Sequence, residues 1–365
     1  MFKFQKLCAA AFAVAVATPS FAAEVGVRQI SIAAAPTDHG RDLHVTVWYP
    51  AKDGGEPVMI GANRVFAGAP AVPDAAPAQG RFPLVVLSHG SGSRVQGMSW
   101  LATELAKAGF VVAGPNHPGT TSGYSTPGDT PKLWQRAADL SAVIDRLTGE
   151  GMAGEGMAGD GQWQGLVDAD RIGVVGFSLG GAAAMLSAGA RADLEAYARY
   201  CDTYDKWDCA WYAGGIGYVN EAQVKVGKVD LRAIDKALFE QSNLDRRVRS
   251  AVLVDPGLAQ AYDAQSLKDI SIPMSFINLG GAGTVPPGVI ANELAALTPN
   301  GTYAAVADSV HYSFLPECRE GVAEILRSSG EDEPICEDGG ARSRADIHAE
   351  LVRLIRDDLE RTLAR

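Results

Sequence analysis

The sequence predicts an α/β fold with a mostly parallel central sheet that carries helices on both faces. Short apolar runs, such as residues 83–87 and 250–254, are typical of strands that are buried on both faces. These runs alternate with amphipathic stretches of helical length, which is the order expected when helical crossovers join parallel strands. The chain has 365 residues, 47% of them hydrophobic and 21% charged, so it is long enough and apolar enough to bury such a sheet.

The strands follow in order from the hydrophobic pattern. Residues 43–49 alternate apolar and polar side chains, so we expect them to pair with residues 26–33 as an antiparallel edge of the sheet. The later strands are continuous apolar runs, which indicates the buried, parallel part of the sheet. They are expected at residues 83–87, 110–113, 171–176, 250–254, 272–279 and 302–306.

Helices are predicted between these strands at residues 100–108 and 132–147. A last helix is expected at residues 345–363, with an apolar stripe formed by Ile347, Leu351, Leu354, Ile355 and Leu359. Residues 51–82 have the Gly, Ala and Pro content of a loop that includes at most a short strand. Residues 151–161 are a glycine-rich, low-complexity loop.

Net charge excludes one class of partner. Lys and Arg number 32 against 43 Asp and Glu, which leaves the chain with a net charge of −11. Because nucleic-acid binding depends on basic side chains that neutralise phosphates, we expect no nucleic-acid partner.

Residues 1–22 have the composition of a secretory signal peptide. Lysines precede an apolar run at residues 7–16, and Ser20 and Ala22 are small residues at the positions before a cleavage site. The run is about half of the ~20 residues that span a bilayer, so we expect cleavage and no stable membrane insertion. The mature chain, residues 23–365, is then periplasmic or extracellular.

Cysteine content agrees with export. Outside the signal segment the cysteines are Cys201, Cys209, Cys318 and Cys336, an even number in a compartment that permits disulfides. Four cysteines allow three pairings, and short loop closure favours Cys201 with Cys209 and Cys318 with Cys336. A metal site is the alternative, but no CxxC or histidine cluster accompanies these cysteines.

A candidate nucleophile lies in the motif Gly-Phe-Ser-Leu-Gly at residues 176–180. A serine hydroxyl is a poor nucleophile unless it is exposed on a sharp strand-to-helix turn, and flanking glycines let that turn form. The motif alone occurs by chance, but here an apolar strand precedes it and a helix of small residues follows it. We therefore predict that Ser178 is the nucleophile.

The oxyanion that forms on attack needs hydrogen-bond donors, and backbone amides at a turn supply them without reorganisation. The motif Ser-His-Gly-Ser-Gly at residues 88–92 follows a predicted strand, where such a loop belongs. We assign the amides of Ser91 and Leu179 to the oxyanion. His89 precedes the nucleophile by a long way, so it is expected to shape the loop and not to act as the base.

The base is expected after Ser178, which leaves His311 and His348. His348 falls inside the last amphipathic helix, where a packed or solvated histidine is the ordinary expectation. His311 follows a predicted strand through a short loop that can carry its ring over the end of the sheet, so His311 is the predicted base. His117 precedes the nucleophile and is expected to belong to an ordinary turn, with a place at the border of the pocket as the alternative.

The acid requires a choice between strands. The loop after the strand at 272–279 contains no carboxylate, whereas the strand at 250–254 ends directly in Asp255. Asp255 is therefore the predicted partner of His311. Asp263 and Asp269 are the competitors, and both have the pattern of exposed loop or helix acids.

Together these motifs resemble the type II platelet-activating-factor acetylhydrolases and their bacterial dienelactone-hydrolase-like relatives. The resemblance covers residues 26–315 and includes the opening segment at 41–50 and the segment Asp-Ser-Val-His-Tyr-Ser-Phe at 308–314. It implies the α/β-hydrolase fold and a carboxylic-ester hydrolase with Ser178, Asp255 and His311 as its triad. True dienelactone hydrolases have a cysteine nucleophile where this chain has Ser178. The resemblance therefore does not extend to their specific substrate.

Residues 191–248 interrupt the strand–helix order and are rich in tyrosine and tryptophan around Cys201 and Cys209. An insertion here would lie at the carboxyl edge of the sheet, where open α/β sheets bind ligands. It is either a small cap over the site or an aromatic cluster that packs onto the core.

The sequence as a whole predicts one exported α/β-hydrolase domain that cleaves small-molecule esters of short acyl groups through an acyl-enzyme, with no cofactor or metal. Two alternatives stay open: an acyltransferase that uses the same triad, and a non-catalytic binding protein of this fold. The sequence carries no signal for an oligomeric state.

Overall fold

The computed structural model describes residues 24–34, 41–149, 161–281, 283–329 and 333–364. The predicted signal peptide at 1–22 lies outside the described residues, as do residues 150–160 of the glycine-rich stretch. None of the helices in the described ranges is both long enough and apolar enough to cross a membrane.

A ten-stranded, mostly parallel sheet forms the centre of the protein and confirms the predicted fold class. Its strand order is β14-β13-β12-β9-β5-β6-β2-β1-β4-β3, and a second, four-stranded sheet has the order β11-β10-β8-β7. The strands are β1 (Glu24–Ile32), β2 (Leu43–Ala51), β3 (Val58–Ile60), β4 (Ala69–Pro73), β5 (Phe82–Ser88), β6 (Val111–Asn116), β7 (Thr120–Thr121), β8 (Tyr124–Ser125), β9 (Val167–Phe177), β10 (Ile216–Val219), β11 (Ala222–Lys225), β12 (Val248–Val254), β13 (Met274–Leu279) and β14 (Gly301–Val306).

Helices connect these strands and cover both faces of the large sheet. They are α1 (Ser99–Lys107), α2 (Leu133–Thr148), α3 (Gly161–Leu166), α4 (Leu179–Ser187), α5 (Leu194–Thr203), α6 (Trp207–Gly214), α7 (Lys236–Phe239), α8 (Ala264–Lys268), α9 (Asn292–Leu297), α10 (Val322–Ser328) and α11 (Arg344–Thr362). One face packs against α2 and α4, and the other packs against α1 and α11. Four of the five predicted stripe residues of α11 are fully buried, and Leu354 is partly buried.

The first two strands pair antiparallel over their full length, as the alternating pattern predicts. They do not form the outer edge of the sheet, because β4 adds to β1 and β3 adds to β4. Only two residue pairs join β1 to β4, and β4 ends at Pro73. Strands this short in a segment rich in Pro and Gly leave too little periodic signal to be located from the sequence.

Residues 191–248 fold into α5, α6, the β10–β11 hairpin and α7. Their buried side chains, including Tyr197 and Tyr212, pack with residues of α2 and α4 such as Leu133 and Leu186. The Cys201–Cys209 disulfide joins the end of α5 to the first turn of α6, and a second disulfide joins Cys318 to Cys336. Both pairings are those that loop closure favours.

Candidate active site

Ser178 occupies a strained turn between β9 and α4. Its φ of 56° lies in the left-handed region that side chains other than glycine rarely adopt. The neighbouring glycines allow this turn because a β-carbon on Gly176 would lie 2.2 Å from the Gly180 carbonyl oxygen, and one on Gly180 would lie 1.9 Å from the Ser88 carbonyl oxygen. The turn therefore presents the Ser178 hydroxyl at the end of the sheet, as the motif predicts.

A chain of hydrogen bonds joins Ser178, His311 and Asp255. His311 Nε2 lies 3.2 Å from Ser178 Oγ, and His311 Nδ1 lies 2.8 Å from Asp255 Oδ2. The carboxylate is fully buried, and the imidazole side chain is 12% exposed. The structure thus brings the three predicted residues together. Ser178 follows β9, Asp255 follows β12 and His311 follows β14. In this order the carboxylate orients the ring, and the ring is placed to take the serine proton.

Asp255 is held on its other side by two donors. The Asn278 side-chain amide and the Leu279 backbone N–H donate to Asp255 Oδ1 over 2.7 and 2.9 Å. Asn278 is fully buried on β13 and also bonds the backbone of Val289 and Ala291. The sequence analysis missed Asn278, although an asparagine inside an otherwise apolar strand is a signal for a buried polar partner.

The competing candidates lie elsewhere. Asp263 accepts a hydrogen bond from the Ser266 amide as the cap of α8, and Asp269 accepts one from Gln265. His348 is buried in α11, where its ring stacks on Trp100 at a centroid distance of 3.7 Å. Asp263, Asp269 and His348 therefore lie outside the hydrogen-bond chain that joins Ser178 to His311.

The loop that follows β5 packs directly against the nucleophile turn. A β-carbon on Gly90 would lie 3.4 Å from Ser178 Cβ. In the part of the chain that the structure describes, the amides of Ser91 and Leu179 donate to no other protein group. These two N–H groups therefore have no protein acceptor, as the oxyanion role that the sequence analysis assigned to them requires.

His89, inside this loop, and His117, behind it, are shielded from solvent. Both rings are fully buried, and burial lowers the pKa of each well below its usual range. His117 Nδ1 contacts Asp139 over 2.8 Å, and Arg136 donates to the His89 carbonyl over 2.8 Å. The sequence analysis missed Asp139 and Arg136, because their spacing on α2 is that of any helix surface.

Two aromatic side chains, Trp207 and Tyr312, lie next to the His311 ring. Trp207, the first residue of α6, has its ring centroid 5.8 Å from that of His311 and 5.6 Å from that of Tyr312. Trp207 is 43% exposed, although large aromatic rings are usually buried. We call Trp207 and Tyr312 the aromatic wall. The Tyr197 hydroxyl anchors the first turn of α6 by donating to the Asp208 carboxylate over 2.6 Å.

Metal ligation offers no second interpretation of these residues. Across the described ranges, no three His, Cys, Asp or Glu side chains are grouped so as to hold a metal ion. The cysteines that could have supplied ligands are paired in disulfides.

Comparison with known proteins finds matches over part of the chain. A family model described as PETase, PET hydrolase-like, matches residues 60–208, which is less than half of the chain. A bis(hydroxyethyl) terephthalate hydrolase from Streptomyces coelicolor is 32% identical over 117 residues, and the match spans 32% of this chain and 32% of that protein.

One solved structure shows the same fold, and a second is reported with it. A ferulic acid esterase from Streptomyces cinnamoneus superimposes with a TM-score of 0.58 at 22% identity, covering 95% of this chain and 92% of that one. A dienelactone hydrolase-like promiscuous phosphotriesterase from metagenomic libraries has a TM-score of 0.47 at 12% identity, covering 93% and 99% of the two chains.

Proposed function

We propose that this chain, an α/β-hydrolase, is a serine hydrolase that cleaves carboxylic esters through a covalent acyl-enzyme. The observation that carries the proposal is the continuous hydrogen-bond chain from Ser178 through His311 to the buried Asp255. Nucleophile, base and orienting acid are the three parts that such chemistry requires. The ester hydrolases among the matching proteins support the same class of reaction.

The reaction follows from the roles of the three groups. Ser178 Oγ attacks the ester carbonyl while His311 Nε2 takes its proton, and the amides of Ser91 and Leu179 hold the oxyanion. His311 then gives the proton to the leaving alcohol. Water attacks the acyl-enzyme with His311 again as base; the bond from the acyl carbon to Ser178 Oγ then breaks, His311 returns the proton to Oγ, and the acid is released. Asp255 keeps the proton on Nδ1 throughout, so that Nε2 faces Ser178 as an acceptor.

Replacement of the two reacting residues tests this assignment. Ser178→Ala and His311→Ala should each remove nearly all turnover of p-nitrophenyl acetate while melting temperatures stay close to wild type, because the groups act as one unit. A fluorophosphonate should label wild-type protein at Ser178, as read by peptide mapping. Near-normal turnover in Ser178→Ala would refute the mechanism.

For the substrate we propose esters of small acyl groups with two to four carbons. Trp207 narrows the approach to His311, and the Cys201–Cys209 disulfide and the Tyr197–Asp208 bond both hold the first turn of α6 that carries it. Because Trp207 is held in this way, it has little freedom to move aside and admit a long acyl group. Because a pocket discriminates by only ~1–3 kcal/mol per methylene, the preference should be graded.

The aromatic wall also favours a second candidate, an ester with an aromatic acyl group. Flat rings stack on exposed tryptophan and tyrosine with a gain of about 0.5–1.5 kcal/mol for each pair. The matching proteins include hydrolases named for bis(hydroxyethyl) terephthalate and ferulic acid, which are aromatic compounds.

One substrate panel separates the two candidates. Acetate, butyrate and laurate p-nitrophenyl esters would be compared with bis(hydroxyethyl) terephthalate and methyl ferulate. If the wall binds aromatic acyl groups, Trp207→Ala should raise the KM for the aromatic esters about tenfold and leave that for acetate unchanged. Tyr218→Ala is the matched control, because Tyr218 is 40% exposed in the same segment. An equal effect on all esters would argue against aromatic recognition.

We propose that the enzyme works outside the cytoplasm after removal of residues 1–22. Both disulfides are compatible with an oxidising compartment. The acyltransferase alternative uses the same triad with an alcohol in place of water, and product analysis in the presence of an added alcohol distinguishes the two. Measured turnover of any ester would exclude the non-catalytic binding protein.

A further inference from the structure

A second Ser–His–Asp chain lies behind the loop that carries the Ser91 amide. Ser88 Oγ is 2.9 Å from His117 Nε2, and His117 Nδ1 is 2.8 Å from Asp139 Oδ2. This arrangement copies the geometry of the Ser178 site. Ser88 and His117 are fully buried, however, and Asp139 is 7% exposed. No substrate carbonyl can reach Ser88, so Ser88 cannot act as a nucleophile. The role of the Ser88–His117–Asp139 group must therefore lie in the residues that it contacts.

The cluster holds His89 in one orientation and one tautomer. His89 Nδ1 lies 2.7 Å from the Gly90 carbonyl oxygen, which only accepts, so Nδ1 carries the proton. The His117 backbone N–H donates to His89 Nε2 over 3.2 Å, so Nε2 is unprotonated. Burial, followed by the charge of Arg136, lowers the pKa of His89 well below its usual range and keeps the ring neutral.

We propose that His89 is a positioning residue that aims the Ser91 amide at the oxyanion. The Gly90 carbonyl and the Ser91 N–H belong to the same peptide unit. The described residues contain no cis peptide bond, so these two groups point in opposite directions. A donor that fixes the carbonyl on the buried side therefore fixes the N–H on the Ser178 side. His89 Nδ1–H is the shortest donor to that carbonyl, ahead of the Ser93 amide at 3.3 Å and the Arg136 guanidinium at 3.5 Å.

Arg136 completes the support from α2. Its guanidinium is 2% exposed and donates to the His89 carbonyl over 2.8 Å and to Thr120 Oγ1 over 3.0 Å. It thereby fixes the peptide that precedes Gly90, while His89 fixes the one that follows. Asp139 bonds His117 and Arg41 and also lies within the electrostatic reach of Arg136, so two arginines face one carboxylate and these groups carry a net positive charge behind the loop. Such a charge favours a negative oxygen on the other side.

Asparagine, leucine and glutamine at position 89 separate positioning from packing. Asparagine and leucine have nearly the same shape, but only asparagine places an N–H donor at the position of Nδ1. Glutamine places its side-chain carbonyl oxygen at the position of Nε2 and has no donor at the position of Nδ1. It therefore keeps an acceptor for the His117 amide, and it replaces the leucine variant if that variant does not fold. Tyr49→Phe is the control for stability, because it also removes one buried hydrogen bond to a carbonyl, that of Ala75.

The readout is the second-order rate at which a fluorophosphonate labels Ser178, together with kcat and KM for p-nitrophenyl acetate. The assignment rests on the proposed function, because it requires an oxyanion at Ser178. Loss of one oxyanion donor costs about 10²–10³ in rate, and a donor that is only badly aimed should cost about 10- to 100-fold. We expect that loss in labelling and in kcat for His89→Leu and His89→Gln, with KM changed less than threefold. His89→Asn should stay within about threefold of wild type, and Tyr49→Phe should lose stability only.

Each result decides one statement. Equal labelling of wild type and the folded His89→Leu or His89→Gln variant would overturn the positioning role and leave the esterase proposal intact. Equal loss in His89→Asn and His89→Leu would also overturn it, because packing alone would then explain both. Absence of labelling in wild-type protein would overturn the proposed function and this assignment together.

Discussion

Replacement of Asp255 by asparagine should trap His311 in the tautomer that cannot accept a proton. Asp255 Oδ1 receives two fixed donors, the Asn278 amide at 2.7 Å and the Leu279 N–H at 2.9 Å. In Asp255→Asn the side-chain oxygen must face these donors, so the new NH₂ group faces His311 Nδ1. That nitrogen then becomes an acceptor and the ring proton moves to Nε2, where it blocks removal of the Ser178 proton.

The expected fall in kcat follows from the free energy that the asparagine side chain at position 255 would need to turn over and restore the correct His311 tautomer. If the new amide turns over, its NH₂ group faces the two donors and leaves both without a partner in a fully buried place. At about 1–3 kcal/mol for each unsatisfied group, this costs about 4 kcal/mol, or roughly a thousandfold. The wrong tautomer costs about 10⁴ in kcat in serine proteases. We therefore expect kcat to fall by about 10³–10⁴, with little change in stability because the shape and the Oδ1 bonds are kept.

Turnover of p-nitrophenyl acetate and thermal unfolding measure the two quantities. Asp263→Asn and Asp269→Asn are matched controls, because the first is a helix cap that asparagine serves equally well and the second is an exposed acid that accepts a hydrogen bond from Gln265. Both should stay within about twofold of wild type. An Asp255→Asn enzyme within tenfold of wild-type kcat, or a large loss in either control, would refute this choice of acid.

Three further expectations concern stability, the wall and processing. Burial lowers the pKa of His348 to about 3; the unfolded chain then binds the proton first, so the contribution of His348 to stability is complete above pH ~6.5 and falls by about 2 kcal/mol between pH 6.5 and 4.5. The buried His89 and His117 add slopes of the same sign, so His348→Phe should reduce the total slope by this amount in urea titrations, and an unchanged slope would contradict the assignment. Replacing Cys201 and Cys209 by serine should flatten the acyl-chain-length profile without abolishing turnover; an unchanged profile would remove the disulfide from substrate choice. Exported protein should begin at Ala23 or Glu24 with two disulfides by intact mass, and free thiols on the four cysteines would disprove this.

Much of the fold and the central residues of the site could be predicted from the chain alone. The buried strands are continuous apolar runs, and their alternation with helices permits few topologies. The nucleophile turn depends in part on contacts within five residues, since Gly176 and Gly180 approach each other directly, while the close approach of Gly180 to the Ser88 carbonyl comes from a distant segment. His311 and Asp255 were found because each follows a strand, and parallel strands bring such ends to one edge of the sheet.

Contacts between distant segments carried no comparable signal. Nothing in the spacing of Asn278, Arg136 or Trp207 indicates that they meet Asp255, His89 and His311, which lie between 23 and 104 positions away along the chain. A local motif determines a backbone turn because its atoms collide or fit within a few residues. The partners that orient those groups are chosen by packing between helices and sheet, so the sequence by itself determined which residues can react, and only the tertiary structure decided what holds them in place.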